Sequence, residues 1–204
     1  MIVQFYKALR KIYSILKQPL YSPLAKIVFF LNGVNFADNL KVYGTIKVHV
    51  TRRGKVHIGN NFSINSGGKF NIIGRQQKNT FWIEGQLIIG NNVGMSSTAI
   101  VCKHDIEIGD NVTIGGNTVI YDTDYHAIDS AVRTNKLQDG QHAKWGKVKI
   151  NNNVFIGAHT SILKGVTIGE NAIIGACSVV TKNIPANEMW AGNPAKFIRT
   201  INTN

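Results

Sequence analysis

The sequence predicts an all-β fold built as a parallel β-helix, and its spacing of apolar residues is the main reason. Large aliphatic residues recur every six positions from residue 150 to residue 180. They are Ile150, Ile156, Ile162, Ile168, Ile174 and Val180. A period of six fits neither an amphipathic helix nor the alternation of a hairpin strand. It fits a three-sided coil in which three hexapeptides, about eighteen residues, complete one turn.

Each face of the predicted coil is a short strand, and a tight corner leads to the next face. The aliphatic residue of each hexapeptide points inward, and Gly, Asn and Asp allow the corners, some with positive φ. Coils stack about 4.8 Å apart with their backbones paired in parallel. The same phase occurs earlier, at Ile58, Ile64, Ile83, Ile89, Met95, Val101, Ile108, Ile114 and Ile120. A β-sandwich with coincidental spacing is the alternative, and it leaves five successive repeats unexplained.

Residues 1–35 predict a helical segment ahead of the β-helix. Apolar residues spaced by three and four form a stripe, and basic residues lie on the other side. The stripe is Ile2, Phe5, Tyr6, Leu9, Ile12, Tyr13 and Leu16, and the cations are Lys7, Arg10, Lys11 and Lys17. We expect Pro19 and Pro23 to end this helix and residues 24–31 to form a second one. Packing on the first coil or on a neighbouring subunit is the favoured role, and contact with an anionic membrane is the alternative.

The rest of the chain divides into a repeat domain and an arm. Residues 36–184 form the β-helix, and residues 123–147 break the repeat as a long loop that protrudes from one corner. Long loops on rigid scaffolds are often functional. Residues 185–204 form an arm whose short strand or helix closes the open end. We therefore expect the chemistry at the loop.

Composition and charge exclude several classes of protein. The chain has 204 residues, 44% of them hydrophobic, which excludes a disordered chain. Two cysteines, Cys102 and Cys177, exclude a disulfide scaffold and are expected as reduced thiols. The first residues fit neither a cleaved signal nor a membrane span, so we expect a cytoplasmic protein, at the inner membrane face if the helix binds lipid.

A net charge of +12 calls for an anionic partner. The basic residues are dispersed, and no nucleic-acid-binding motif is present, so we expect no nucleic acid partner. Phosphates of a substrate, an anionic or lipid-diphosphate-linked sugar, or a membrane surface are the remaining expectations.

The stretch VTIGENAIIGACSVVTKNIPANEMWAGNPAKFIR resembles the hexapeptide-repeat acyltransferases, through the phrases V-V-T-K-x-I-P and A-G-N-P-A-K-x-I-R. The resemblance covers roughly residues 55–200. It implies a left-handed parallel β-helix and a homotrimer with its sites in the clefts between neighbouring prisms. Within the family, the chain is most similar to sugar O-acetyltransferases of the maltose, galactoside, nodulation-factor and surface-polysaccharide type. This implies transfer of an acetyl group from acetyl-CoA to a hydroxyl of a sugar or polysaccharide precursor, without a metal.

The segment IYDTDYH, residues 120–126, resembles the family stretch that ends in the catalytic histidine. With a pKa near 6.5 a histidine can act as a base close to neutral pH, so His126 would deprotonate the acceptor hydroxyl as it attacks the thioester directly. A carboxylate on the other ring nitrogen would orient the imidazole. Asp124 and Asp122 are the choices, because alternate residues of an extended segment share a face. His142, in the same loop, is the rival base.

The family's coenzyme A contacts have matching positions in this sequence. They are Ala158, Ala176, Thr181, Lys182, Lys196 and Arg199. Small side chains would let the pantetheine arm approach the backbone, and the cations would meet phosphates. Ser96 stands where related enzymes place an asparagine that orients the acceptor sugar, which leaves the acceptor open. Trp145 is expected to stack on a sugar ring, with packing as the alternative.

Two other functions remain open at this stage. A γ-carbonic-anhydrase-like metal hydratase needs several converging histidines, and the histidines at 104, 126, 142 and 159 lack that spacing. A non-enzymatic β-helix scaffold is the second alternative, and the long loop and the tail both count against it.

Overall fold

We describe the protein from a computed structural model that covers residues 1–73 and 76–202, with the backbone alone for residues 13–18. The side chains of Tyr13, Leu16 and Lys17, part of the predicted stripe and its basic side, lie outside the described residues. The helices within these ranges are α1 (Ile2–Leu31), α2 (Ser130–Arg133) and α3 (Asp139–His142). The first ten strands are β1 (Asn35–Phe36), β2 (Lys41–Tyr43), β3 (Lys47–Val50), β4 (Lys55–Ile58), β5 (Ser63–Asn65), β6 (Thr80–Ile83), β7 (Gln86–Ile89), β8 (Gly94–Ser96), β9 (Ala99–Cys102) and β10 (Asp105–Ile108). The others are β11 (Thr113–Ile114), β12 (Val119–Tyr121), β13 (Val148–Ile150), β14 (Phe155–Ile156), β15 (Ser161–Ile162), β16 (Thr167–Ile168), β17 (Ile173–Ile174), β18 (Val179–Val180), β19 (Glu188–Ala191) and β20 (Lys196–Thr200).

The strands form three sheets, and every third strand returns to the same sheet. Sheet A has the order β1-β4-β7-β10-β13-β16, sheet B the order β2-β5-β8-β11-β14-β17-β19-β20, and sheet C the order β3-β6-β9-β12-β15-β18. Neighbours pair in parallel except β19 and β20. Ile150 pairs with Ile168, eighteen residues later. The predicted parallel β-helix with hexapeptide repeats is confirmed.

The interior is a column of aliphatic side chains, as the period of six predicts. The residues from Ile150 to Val180 that recur every six positions are all fully buried. The predicted phase is wrong at Val101, since Ile100 and Cys102 are the buried residues of β9. The corner before β9 is one residue shorter than the corner of the next coil, because Met95 pairs with Ile114 and Ile100 pairs with Ile120. One residue fewer reverses which side chains of a strand point inward.

The corner between sheets A and B is formed by asparagines in the left-handed conformation. Asn39, Asn61, Asn92 and Asn111 have φ between 57° and 60°. Each donates its amide to the next asparagine along the axis, at 2.8–3.0 Å. Asparagine tolerates this backbone better than other residues with a Cβ, and the side-chain ladder satisfies its polar atoms. The expected positive φ at corners is confirmed.

α1 is one continuous helix, and the prediction that Pro19 and Pro23 end it is wrong. A proline inside a helix costs about 3 kcal/mol, so tertiary contacts must offset the loss. Ala25 and Phe29 are buried against the first coils. The hydroxyl of Ser22 accepts from the amide of Val42 at 2.9 Å, which ties the helix to β2. The predicted packing on the first coil therefore exists for the second half of α1.

The chain leaves the regular coils at a long loop and again at a terminal arm. Residues 123–147 leave the corner between sheets C and A, between β12 and β13, and carry α2 and α3. Beyond Pro185, β19 adds one more strand to sheet B, and β20 folds back on it in antiparallel register. In the part of the chain that the structure describes, no helix combines the length and the apolar character needed to cross a membrane.

Candidate active site

Asp122 anchors the corner from which the long loop leaves. Its side chain is fully buried and accepts the backbone N–H groups of Lys103, His104 and Asp105 at 2.8, 2.6 and 2.8 Å. Burial, and then the neighbouring Asp122 carboxylate, raise the pKa of the Cys102 thiol far above its ordinary value. Cys102 is therefore a protonated core residue, and Asp122 is the acceptor that organises the turn beneath it.

The two ends of the loop are joined at its base. Thr123 and Trp145 form an antiparallel bridge, and the amide of Gly146 donates to the carbonyl of Asp122 at 3.0 Å. The Asp124 carboxylate lies 2.6 Å from Nζ of Lys164 on the next coil. These contacts fix the base of the loop, while most residues between them are exposed.

His126 lies just beyond this base and pairs with a carboxylate from α3. Its Nδ1 is 2.6 Å from Oδ2 of Asp139, while the amide of Ala127 donates to Oδ1 at 2.7 Å. The hydrogen bond from His126, followed by the one from Ala127, holds the pKa of the Asp139 carboxyl below its usual value. A carboxylate on Nδ1 selects the tautomer that has a free Nε2. The His126 side chain is 68% exposed, so Nε2 is open to a ligand.

The predicted contact of Asp122 or Asp124 with His126 is absent, because Asp139 occupies that position. The prediction assumed an extended segment, but Tyr125 has φ +64°, in the left-handed region, and breaks the alternation. Asp122 accepts backbone N–H groups of the corner, and Asp124 forms an ion pair with Lys164. No spacing in the sequence pointed to Asp139, thirteen residues away, since only the fold of the loop brings it to the imidazole.

His142, the rival base, ends α3 in the same loop. Its Nδ1 lies 2.9 Å from the carbonyl of Gln138, and the residue is exposed. A backbone carbonyl orients its ring without supplying a charge. Of the two imidazoles in this loop, His126 is therefore the one that is paired with a carboxylate.

An open recess of about 530 Å³ lies beside the loop, on the earlier coils of the same corner. Its lining residues are Thr51, Arg52, Arg53, Glu84, Lys103 and His104. Nζ of Lys103 lies 3.3 Å from the carbonyl of Gly140 in the loop, and His104 stacks on Trp145 with centroids 4.3 Å apart. Trp145 remains 57% exposed. The recess is thus lined mainly by cations, and the partly exposed ring of Trp145 lies next to it, against His104.

The residues predicted to contact coenzyme A lie on two corners and an arm. Ala158 and Ala176 are equivalent corner residues of successive coils, between sheets B and C. Thr181 and Lys182 directly follow β18, at the corner between sheets C and A. Ser96 ends β8 at the corner between sheets B and C. From there β9 spans about 13 Å, at 3.3 Å per residue, to the corner between sheets C and A. Lys196 and Arg199 are exposed on β20. A single chain therefore keeps Ser96 and the His126 loop at opposite edges of sheet C.

Within residues 1–73 and 76–202, no three histidine, cysteine, aspartate or glutamate side chains lie close enough together to hold one metal ion.

The comparisons with known proteins agree with this architecture. The family model for the bacterial transferase hexapeptide (six repeats) matches residues 147–182. Galactoside O-acetyltransferase of Escherichia coli (strain K12) is 44% identical over 103 residues, 50% of this chain and 48% of the relative. The chain thus aligns with about half the length of the curated relatives it matches.

Two solved structures are similar over most of the chain. A maltose O-acetyltransferase from Clostridium difficile 630 is 28% identical, with a TM-score of 0.60, over 98% of this chain and 86% of that one. A galactoside acetyltransferase in complex with coenzyme A is 27% identical, with a TM-score of 0.56, over 91% of this chain and 83% of that one. The β-helix is left-handed, as the resemblance implied. The repeats, the fold and these similarities make the chain similar to the hexapeptide-repeat acyltransferases, and within them to the sugar O-acetyltransferases.

Proposed function

We propose that this protein is an O-acetyltransferase that moves an acetyl group from acetyl-CoA to a hydroxyl of a sugar or polysaccharide precursor. The observation that carries the proposal is the exposed imidazole of His126, whose Nδ1 is held at 2.6 Å by Asp139. The similarity to galactoside and maltose O-acetyltransferases supports the choice of substrates.

The proposed reaction is one direct transfer. Nε2 of His126 takes the proton of the acceptor hydroxyl as its oxygen attacks the thioester carbonyl. The new C–O bond forms, the C–S bond breaks, and the imidazolium returns its proton to the departing thiolate. Asp139 holds the ring in place and stabilises the imidazolium while it exists. Asp122 and Asp124 serve this step indirectly, because they hold the loop that carries His126.

The recess beside the loop favours an acceptor that carries an anionic group. Arg52, Arg53 and Lys103 provide three cations against the single carboxylate of Glu84. Guanidinium groups bind phosphate and carboxylate oxygens well, and the exposed ring of Trp145 offers a surface for a sugar. A thiol-release assay with acetyl-CoA that compares neutral galactosides with nucleotide-linked sugars tests the function and the acceptor together. A protein that releases no thiol with any of these acceptors, but hydrates carbon dioxide and contains a bound metal, would support the metal hydratase instead.

We also propose a homotrimer, because in one chain the residues proposed to bind the substrates and the His126 loop lie at different corners of the β-helix. Contact between corners of neighbouring prisms would bring Ser96, Ala158 and Ala176 of one chain near the His126 loop of another. We expect light scattering to give three times the mass of one chain. Full turnover by a monomer would contradict a shared site.

Lys182 and Arg199 are expected to bind the phosphates of coenzyme A. Replacing either by alanine should raise the KM for acetyl-CoA about tenfold, the effect of losing about 1.4 kcal/mol of ground-state binding, with kcat little changed. Lys55→Ala, an exposed cation on β4, is the control and should leave both constants unaltered. An unchanged KM in both test variants would remove these residues from the coenzyme A site.

A further inference from the structure

A longer apolar stripe of α1, which shares Ile2 and Leu9 with the stripe of the sequence pattern and continues into the second half of the helix, faces away from the protein. Ile2, Leu9, Leu20, Ile27 and Leu31 are exposed by between 49% and 85%. At about 100° per residue they lie within ~40° of one another around the helix axis. The stripe therefore lies on one side of the helix in residues 2–9 and again in residues 20–31, and α1 is about 45 Å long at 1.5 Å per residue.

The face that packs on the β-helix is the opposite one. Ala25 and Phe29 are buried, and Ser22 bonds to β2. These three positions lie about 140–200° around the axis from the stripe. The residues that hold α1 to the first coils are thus different from the apolar residues of the exposed stripe.

The charges of α1 complement an anionic surface. Arg10 and Lys26 flank the apolar arc, which Phe5 and Phe30 widen, and Lys7 and Lys11 lie behind it. No acidic residue occurs before Asp38. Flanking cations can extend toward lipid headgroups while the apolar face enters the interface. If two copies of the chain packed stripe against stripe, their cations would lie close together, and this segment has no acidic residue to pair with them.

We infer that α1 docks the protein on an anionic phospholipid membrane, lying in the plane of the interface with its apolar stripe inward. The occupant is the lipid surface, recognised by apolar burial along the stripe and by attraction of the cations to anionic headgroups. The inference does not depend on the proposed acetyl transfer, because it rests on α1 alone.

Flotation of the full-length protein with vesicles tests the inference. We expect binding to phosphatidylcholine vesicles that contain phosphatidylglycerol, and at least tenfold weaker binding to phosphatidylcholine alone. The double variant Phe5→Ser/Leu9→Ser should lower binding to the mixed vesicles at least tenfold. Both side chains are exposed, so circular dichroism should show an unchanged fold.

A charge-matched pair of variants separates the helix from the general basicity of the protein. Arg10→Gln/Lys26→Gln, which removes the two exposed cations that flank the apolar arc, should weaken binding to the mixed vesicles severalfold. Lys41→Gln/Lys55→Gln removes the same charge from exposed positions of β2 and β4 and should leave binding unchanged. Equal losses in both pairs, or undiminished binding of the stripe variant, would overturn the inference. The inference would also be overturned if the wild type did not bind the vesicles and the stripe variant had a different oligomeric mass. That result would show that a second copy of the chain covers the stripe.

Discussion

Replacing His126 by alanine is expected to lower kcat by about 10²–10⁴-fold, the range that a positioned general base contributes. The KM for acetyl-CoA should stay close to the wild-type value, because the imidazole acts on the acceptor hydroxyl. Steady-state kinetics with the best acceptor from the thiol-release assay measures both constants. Full turnover by His126→Ala would remove this residue from the mechanism, and His142→Ala would then test the rival base.

The same kinetic measurement tests Asp139, the carboxylate paired with His126. Asp139→Asn keeps the shape of the side chain but removes the charge that stabilises an imidazolium, so kcat should fall about 10–100-fold with acetyl-CoA binding retained. Asp129→Asn is the matched control, because Asp129 caps α2 in the same loop and bonds to Ala131. The pKa of Asp139 is lowered in the folded protein, so its carboxylate stays ionised above that lowered pKa and is protonated only as the pH falls through it. Equal effects of both variants would indicate a general role of the loop.

The largest loss of stability is expected from Asp122→Asn. The amide –NH₂ of asparagine would face buried N–H groups that the carboxylate now accepts, at 2.6–2.8 Å from His104 and Asp105. Leaving buried donors unmatched should lower the free energy of unfolding by about 3 kcal/mol. Urea unfolding at one fixed protein concentration measures the change, since the oligomeric state also contributes.

Asp124→Asn is the control for that measurement. It removes a carboxylate from the same segment, but its ion pair with Lys164 is partly exposed, and such pairs contribute about 0–1 kcal/mol. Unfolding midpoints that shift equally in the two variants would contradict the anchoring role of Asp122. A selective loss in Asp122→Asn should also lower kcat, because the corner that carries the His126 loop would loosen.

The sequence by itself determined the β-helix, and the reason is the local character of its contacts. Each hexapeptide pairs only with those one coil away, so one inward aliphatic residue and one corner residue, repeated, specify the whole prism. Ile150 and Ile168 are paired because eighteen residues make a coil. Asn92 and Asn111 form corners because asparagine accepts a positive φ. Position 126 was singled out as a histidine at the place where this pattern stops.

The tertiary structure decided what the repeat does not govern. Asp139 reaches His126 because Tyr125 turns the chain into the left-handed region and the loop folds back on itself. α1 continues through Pro19 and Pro23 because buried Ala25 and Phe29 hold its second half on the first coils. In both places contacts between distant residues outweigh the preference of the local sequence. A periodic sequence pattern predicts contacts only between successive coils. The pairing of His126 with Asp139 and the continuous α1 depend on other contacts, so only the tertiary structure shows them.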